Sequence, residues 1–143
     1  MAEAKVWTFF YGSYINFNVL KEVGLVPDRW EVARLSGFDL RIRPRANRVR
    51  SDRHCVYGIV ATASHAELGR LYAHARDVLG EVYLPEAVLV QTRAGLWRPA
   101  LCYIAPAMEP RPAADDYIDR IAGPAREFGF PEWYVRHIES FRP

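Results

Sequence analysis

The residues best suited to chemistry near the start of the chain are Tyr11, Gly12, Ser13 and Tyr14, which follow an apolar, aromatic run. A chain that turns sharply after a buried strand directs several backbone N–H groups at one point, where a carboxylate or phosphate can bind. Glycine permits such a turn and lets a ligand approach the main chain. The pattern predicts an anion-binding bend, and the alternative is a plain connection between a strand and a helix.

The composition is that of one folded domain, which we expect to span residues 1–143. Half of the residues are hydrophobic and 25% are charged, which supports a single core and argues against a disordered or fibrous chain. The formal net charge of +2 is too small to indicate a particular partner. Oligomeric state cannot be inferred from these features.

The sequence shows neither the pattern of a signal peptide nor that of a membrane-spanning helix, so we expect a cytoplasmic protein without a membrane partner. Cys55 and Cys102 are predicted to be small buried hydrophobic residues in a reducing compartment. The four histidines lack the spacing of metal ligands. We therefore expect neither a metal nor a cofactor.

Strands and helices alternate along the chain. The hydrophobic pattern predicts strands over residues 5–11, 31–42 and 55–61, and a hairpin of 81–91 with 98–104. Helices are predicted over 17–23, 64–80 and 113–122 and after Pro131, with a break at Gly123-Pro124. This order indicates an α+β domain whose sheet curls around a cavity.

Several stretches resemble, in the same order, the γ-glutamylcyclotransferase-like family, which includes the plant AIG2-like proteins. They read FYGS at 10–13, ARLSGFDL at 33–40, VYGIV at 56–60, GEVY at 80–83 and GFPEWY at 129–134, with Tyr103 and Tyr117 between the last two. Each motif is short, and their order and spacing over nearly the whole chain carry the resemblance. It implies the family's fold, a curled mixed sheet or barrel around a cavity with flanking helices.

The resemblance also implies a reaction in which the α-amine of a γ-glutamyl group attacks its own side-chain carbonyl. This closes 5-oxoproline and releases an amine or amino acid, so the partner is a γ-glutamyl or other acidic small molecule. Holding that substrate in attack geometry contributes up to about 7–11 kcal/mol. Tyr14 stands where the family usually carries asparagine. The implied substrate-binding residues are Tyr11, Gly12, Ser13, Tyr14, Tyr83, Tyr103 and Tyr117.

The chain departs from the family at the acid/base glutamate that follows the internal helix, because Ala-Arg-Asp stands there instead. Glu81 is the first candidate to replace it, since strand alternation places it on the same face as Tyr83. Asp77 is the second, with a shorter side chain displaced by one position, and His74 is a third candidate for proton transfer. Two alternatives stay open: Glu81 is a solvated edge charge, or the protein binds small molecules without catalysis.

Six arginines cluster in the middle of the chain: Arg41, Arg43, Arg45, Arg48, Arg50 and Arg53. Such a run can bind the phosphates of nucleic acid. It lacks interleaved aromatic residues that could stack on bases, and the whole-chain charge is nearly balanced. We interpret it as a solvated strand end and loop and expect no nucleic-acid partner.

Overall fold

The computed structural model describes residues 3–143, which form a closed barrel of five strands with helices around it. The strands are β1 (Lys5–Phe10), β2 (Trp30–Ile42), β3 (Ala46–Ser64), β4 (Leu84–Thr92) and β5 (Trp97–Ile104). Their order around the barrel is β1, β3, β2, β4, β5, and parallel pairing of β1 with β5 closes it. The other neighbouring strands pair antiparallel.

The helices of the described residues are α1 (Phe17–Glu22), α2 (His65–His74), α3 (Asp115–Glu127) and α4 (Glu132–Glu139). A 3-10 turn, Ser13–Ile15, precedes α1, and a π-helical turn, Ala75–Leu79, continues α2. The predicted α+β class, with a barrel and flanking helices, is confirmed. Within residues 3–143 no helix is long and apolar enough to cross a membrane.

The capping residues predicted from the sequence begin and end α2 with its π turn: Ser64 at the start and Gly80 at the end. Ser64 Oγ accepts a hydrogen bond from the backbone N–H of Glu67 at 3.1 Å, and Glu67 Oε1 accepts one from the Ser64 N–H at 2.9 Å. This reciprocal pair satisfies two donors that the first turn of α2 leaves free. Gly80 ends the π turn with φ +79°, a conformation that favours glycine.

The predicted helix break at Gly123-Pro124 is wrong, because α3 continues through Pro124 to Glu127. Proline in a helix removes the N–H that would bond to the carbonyl four residues earlier, here that of Arg120. The side-chain amide of Asn16 donates to this carbonyl at 3.4 Å. A side chain from a distant turn therefore replaces part of what the proline removes.

The arginine-rich segment lies mostly in two long paired strands, and Arg43 and Arg45 lie in the bend between them. β2 and β3 pair from Trp30↔Ala61 to Ile42↔Ala46, with a register shift between Ser36 and Phe38 at the predicted bend. Arg41, Arg43, Arg50 and Arg53 are exposed, as interpreted from the sequence. The solvated interpretation is wrong for Arg48, whose side chain is 3% exposed.

Arg48 is buried in an environment that compensates its charge. Its Nη2 lies 2.6 Å from Glu86 Oε1, and its Nε donates to Cys102 Sγ at 3.4 Å. Its guanidinium carbon lies 3.9 Å from the centre of the Phe38 ring. A buried guanidinium is stable only when it is paired and hydrogen-bonded, and Glu86 on the neighbouring strand supplies the opposite charge.

We expect Glu86→Ala to lower the free energy of unfolding by about 1–3 kcal/mol, because a buried charged donor loses its acceptor. Glu86→Gln keeps an acceptor oxygen and should cost less. Urea denaturation measures both. The matched control is Glu132→Ala, which removes an exposed pair with Arg136 and should change stability by less than about 0.5 kcal/mol. Equal effects at the two glutamates would contradict the assigned role of Arg48.

Candidate functional site

A small cavity lies where β1 ends, between the start of β3, helices α2 and α3 and the end of β5. All seven residues that the resemblance assigned to substrate binding line it, together with Phe9, Phe10, Ala46, Tyr72 and Leu79. Its free volume is about 30 Å³. Since small-molecule pockets usually measure at least roughly 300 Å³, a ligand can enter only if lining side chains move apart.

Three of the cavity tyrosines are held in place through their own hydroxyl protons. Tyr11 donates to the carbonyl of Tyr103 at 2.7 Å, and Tyr14 donates to the carbonyl of Leu71 at 3.2 Å. The Tyr83 hydroxyl donates to the carbonyl of Ala46. These bonds use the donor of each phenol and orient the rings that form the cavity wall.

The hydroxyl of Tyr117 reaches the bend at Gly12 and Ser13. Its oxygen accepts a hydrogen bond from the backbone N–H of Ala46 at 2.9 Å. It lies 3.6 Å from the place that a Cβ would take at Gly12, and Ser13 lines the same cavity. The phenol oxygen therefore lies beside the bend that the sequence predicts to bind an anion. The Tyr117 hydroxyl still carries a proton, which it can donate to Ser13 or to a ligand.

Glycine is required at position 12 by a close approach rather than by an unusual φ. The backbone has φ −113° there, and a Cβ added at this position would lie 2.5 Å from the Cβ of Ala46. Ala46 is the first residue of β3 and cannot move away without disturbing the strand. The bend therefore packs tightly against β3 on one side and lines the cavity on the other.

Burial makes the cavity phenols neutral groups. Desolvation raises the pKa of Tyr11, Tyr72 and Tyr83 well above 10. It also raises the pKa of Tyr14, Tyr103 and Tyr117, and in Tyr117 hydrogen bonds from Ala46 and Ser13 partly oppose it. Neutral phenols donate and accept hydrogen bonds, but they do not act as bases near neutral pH.

The two candidate carboxylates take different positions, and neither is among the residues that line the cavity. Asp77 is 63% exposed and pairs with Arg76 at 2.9 Å, and this hydrogen bond lowers the pKa of its carboxyl. The side chain of Glu81 is only 9% exposed, and its Oε1 lies 3.9 Å from Arg111 Nη2. Glu81 is thus buried rather than a solvated edge charge.

Strand alternation does not relate Glu81 to Tyr83, because β4 begins only at Leu84. The N–H of Glu81 instead bonds to the carbonyl of Ala75, which closes the π turn. This turn brings Leu79, an aliphatic residue, into the cavity wall. His74 lies before the turn, and its buried Nδ1 has no hydrogen-bond partner among residues 3–143.

Tyr72 and Leu79 are wall residues that the sequence did not indicate as such. Tyr72 stacks on Tyr103 with ring centres 3.7 Å apart. The helical pattern places Tyr72 on the apolar face of α2, and Leu79 follows it by seven residues, two turns along the same face. The spacing could have indicated that both residues face the cavity, but residues of the hydrophobic core have the same spacing.

No group of three or more His, Cys, Asp or Glu side chains within the described part of the chain is arranged to hold a metal ion.

The sequence matches no protein-family model, and no curated protein matches it.

Solved structures resemble the fold over nearly its whole length. An uncharacterized human protein, loc79017, superposes with a TM-score of 0.81 at 22% identity, covering 99% of this chain and 90% of that chain. A γ-glutamyl cyclotransferase gives 0.77 at 23%, covering 98% and 89%. A yeast γ-glutamyl cyclotransferase specific to glutathione gives 0.67 at 12%, covering 98% of both chains. The chain therefore has the γ-glutamylcyclotransferase fold, as the resemblance predicted.

We expect Gly12→Ala to lower the free energy of unfolding by about 1–3 kcal/mol, because the new methyl group overlaps Ala46. Ala46→Gly removes the overlapping atom, so Gly12→Ala should cost less in that background. A double-mutant cycle by chemical denaturation measures this coupling. Gly69→Ala, at an exposed position of α2 with open space around it, is the control and should not destabilise. Additive effects at Gly12 and Ala46 would contradict the contact.

Stability should fall as the pH rises past about 10, the usual pKa of a phenol. Above that pH the unfolded chain has lost its tyrosine protons while the folded chain retains them, so alkali favours unfolding. The pKa of Tyr83 is raised by burial. Tyr83→Phe should therefore lose less stability than the wild type between pH 9 and pH 11 in urea denaturation. The same loss in both proteins would show that this phenol is not protected.

Proposed function

We propose that this chain binds an acidic small molecule of the γ-glutamyl type in the tyrosine-lined cavity and that the cavity serves recognition rather than cyclisation. The fold supports the ligand class, because structures that share it include γ-glutamyl cyclotransferases. One observation carries the choice of recognition: Leu79 forms the wall beside Tyr83, while Asp77 pairs with Arg76 and Glu81 faces Arg111.

Cyclisation of a γ-glutamyl group requires a base that takes a proton from the α-amine and returns one to the leaving nitrogen. The cavity contributes neutral phenols, and their raised pKa values make them weak acids. A phenol that stays protonated offers a donor for a carboxylate or carbonyl oxygen but does not deprotonate an amine. The lining groups are therefore better suited to holding the ligand than to moving its proton.

Recognition of an acidic group would use the bend and Tyr117. The Tyr117 hydroxyl can donate its proton to a ligand oxygen while the Tyr117 oxygen continues to accept the hydrogen bond from the Ala46 N–H. Ser13, a buried residue, lines the same cavity. A hydrogen bond from a hydroxyl donor to a carboxylate is charge-assisted and stronger than one to a neutral acceptor.

A second candidate function is cyclisation with Glu81 as the acid/base group. The observation that favours it is that Glu81 is buried. In the sequence it lies between Leu79 and Tyr83, two residues of the cavity wall. A rearrangement of the segment 80–83 on ligand entry could then expose the carboxylate to the cavity. If this candidate is correct, the wild type forms 5-oxoproline from a γ-glutamyl compound.

Calorimetric titration with γ-glutamyl peptides and amines, combined with an assay for 5-oxoproline, tests the proposal. We expect binding without 5-oxoproline, unchanged between pH 5.5 and pH 7 because the phenols stay neutral and the ligand's α-amine stays protonated over that range. Tyr117→Phe should weaken binding by about fivefold or more, the usual effect of one hydrogen bond. Tyr134→Phe is the control, since that buried phenol lies outside the cavity lining and bonds only weakly, at 3.5 Å.

Two outcomes would overturn the proposal. Production of 5-oxoproline by the wild type that stops in Glu81→Gln would establish the second candidate instead. Failure of every γ-glutamyl compound to bind the folded protein would exclude both functions. A circular dichroism spectrum of each variant verifies that it is folded.

A further inference from the structure

We infer that the outer surface of the barrel carries a second binding site, a cleft that takes the phosphate monoester of an aromatic compound. The phosphate would lie between Arg34 and Arg93, and the ring would lie against Tyr57 and Phe130. The inference does not rest on the proposed function, because the cleft shares no lining residue with the tyrosine-lined cavity.

The cleft lies over strands β2, β3 and β4, beside the turn that joins α3 to α4. Its volume is about 380 Å³, within the range of roughly 300–1,000 Å³ that small-molecule sites occupy. One part of the lining is polar and includes Arg34, Gln91 and Arg93, and the other is apolar and includes Tyr57, Phe130 and Pro131.

Strand pairing places Arg34 and Arg93 side by side on one face of the sheet. Arg34 lies opposite Gln91 in the pairing of β2 with β4, and the backbone N–H of Arg93 donates to the carbonyl of Val32 at 2.9 Å. Residues two apart in a strand share a face, so the two arginines are diagonal neighbours across the strands. Their like charges repel each other, and an anion between them would replace that repulsion with attraction.

Both guanidinium groups are oriented by neutral acceptors, which leave their charges uncompensated. Arg34 Nη2 donates to Gln91 Oε1 at 3.2 Å, and Arg93 Nη2 donates to the carbonyl of Phe128. Within residues 3–143 neither arginine forms an ion pair, and no carboxylate lines the cleft. Glu127 lines a neighbouring depression that shares Arg93. Each guanidinium therefore keeps N–H donors for the oxygens of a ligand.

The charge of the cleft favours a particular kind of anion. Arg34 and Arg93 give the described lining a charge of +2. A phosphate monoester carries about −1.5 to −2 at pH 7 and has three acceptor oxygens, so one group can contact both guanidiniums. A carboxylate or a sulfate ester carries a single negative charge and would leave the cleft positive.

The apolar part of the cleft favours a flat ring. The rings of Tyr57 and Phe130 lie 5.7 Å apart between centres, and Trp133, which is 48% exposed, packs against Tyr57 at 6.0 Å. Aromatic rings favour stacked or edge-to-face contacts with another ring. Tyr57 lies opposite Arg34 in the pairing of β2 with β3, so the ring and the phosphate of one ligand would contact neighbouring side chains.

Isothermal titration with phenyl phosphate at pH 7.5 tests the inference. We expect saturable binding, at least about tenfold tighter than that of phenyl sulfate, which has nearly the same shape and carries less negative charge. Inorganic phosphate lacks the ring and should also bind about tenfold more weakly. Binding of either comparison ligand as tight as that of phenyl phosphate would overturn the inference.

Arg34→Gln should weaken the binding of phenyl phosphate by about tenfold or more, because it removes one of the two charges that contact the phosphate. The matched control is Arg53→Gln, which removes an exposed arginine of β3 outside the cleft and should keep the wild-type affinity. Arg34 is exposed, and circular dichroism verifies that its variant is folded. Unchanged binding in Arg34→Gln, or an equal loss in both variants, would contradict the assigned site.

NMR separates this cleft from the tyrosine-lined cavity. During a titration with phenyl phosphate, the Nε–H signals of Arg34 and Arg93 should shift, and that of Arg53 should not. If these signals shift while no γ-glutamyl compound binds, the cleft stands and the proposed function fails. If γ-glutamyl compounds bind and phenyl phosphate moves neither arginine signal, the proposed function stands and the cleft is excluded.

Discussion

The approach of the Gly12 bend to Ala46 determines how the cavity is built. Only a residue without a side chain fits there, because a Cβ would lie 2.5 Å from that of Ala46. The backbone N–H of Ala46 then meets the hydroxyl of Tyr117, and its carbonyl accepts the hydroxyl of Tyr83. One residue at the start of β3 thus joins the end of β1, helix α3 and the segment before β4. Loosening this contact would separate the groups proposed to hold the ligand.

The buried polar groups around this contact are either paired with an opposite charge or neutral. Inside the barrel, the buried Arg48 is compensated by Glu86. The cavity wall contains phenols that burial keeps neutral. A fold shared with other proteins does not by itself imply a shared reaction.

Much of the architecture could be predicted from local patterns. The capping box at Ser64, the hairpin around Gly95 and the bend at Gly37 depend on residues close in sequence, so their signals survive without tertiary information. Two predictions failed where a distant group intervened. Asn16 replaces part of the bonding that Pro124 removes, and Glu86 with Cys102 lets Arg48 lie inside the barrel. In each case the partner is far along the chain, beyond the reach of a local pattern.

The candidate site could likewise be predicted from the sequence only in part. The sequence by itself determined the bend at Tyr11–Tyr14, the cavity tyrosines other than Tyr72 and the fold that brings them together, because the order of short motifs carries that information. Only the tertiary structure decided where the two carboxylates of the segment 75–83 lie. The π turn changes the helical phase after His74, and the strand begins later than its pattern indicates. Asp77 therefore faces solvent and Glu81 faces Arg111, a result that depends on backbone geometry rather than on residue type. The position of Leu79 in the wall agrees with its seven-residue spacing from Tyr72.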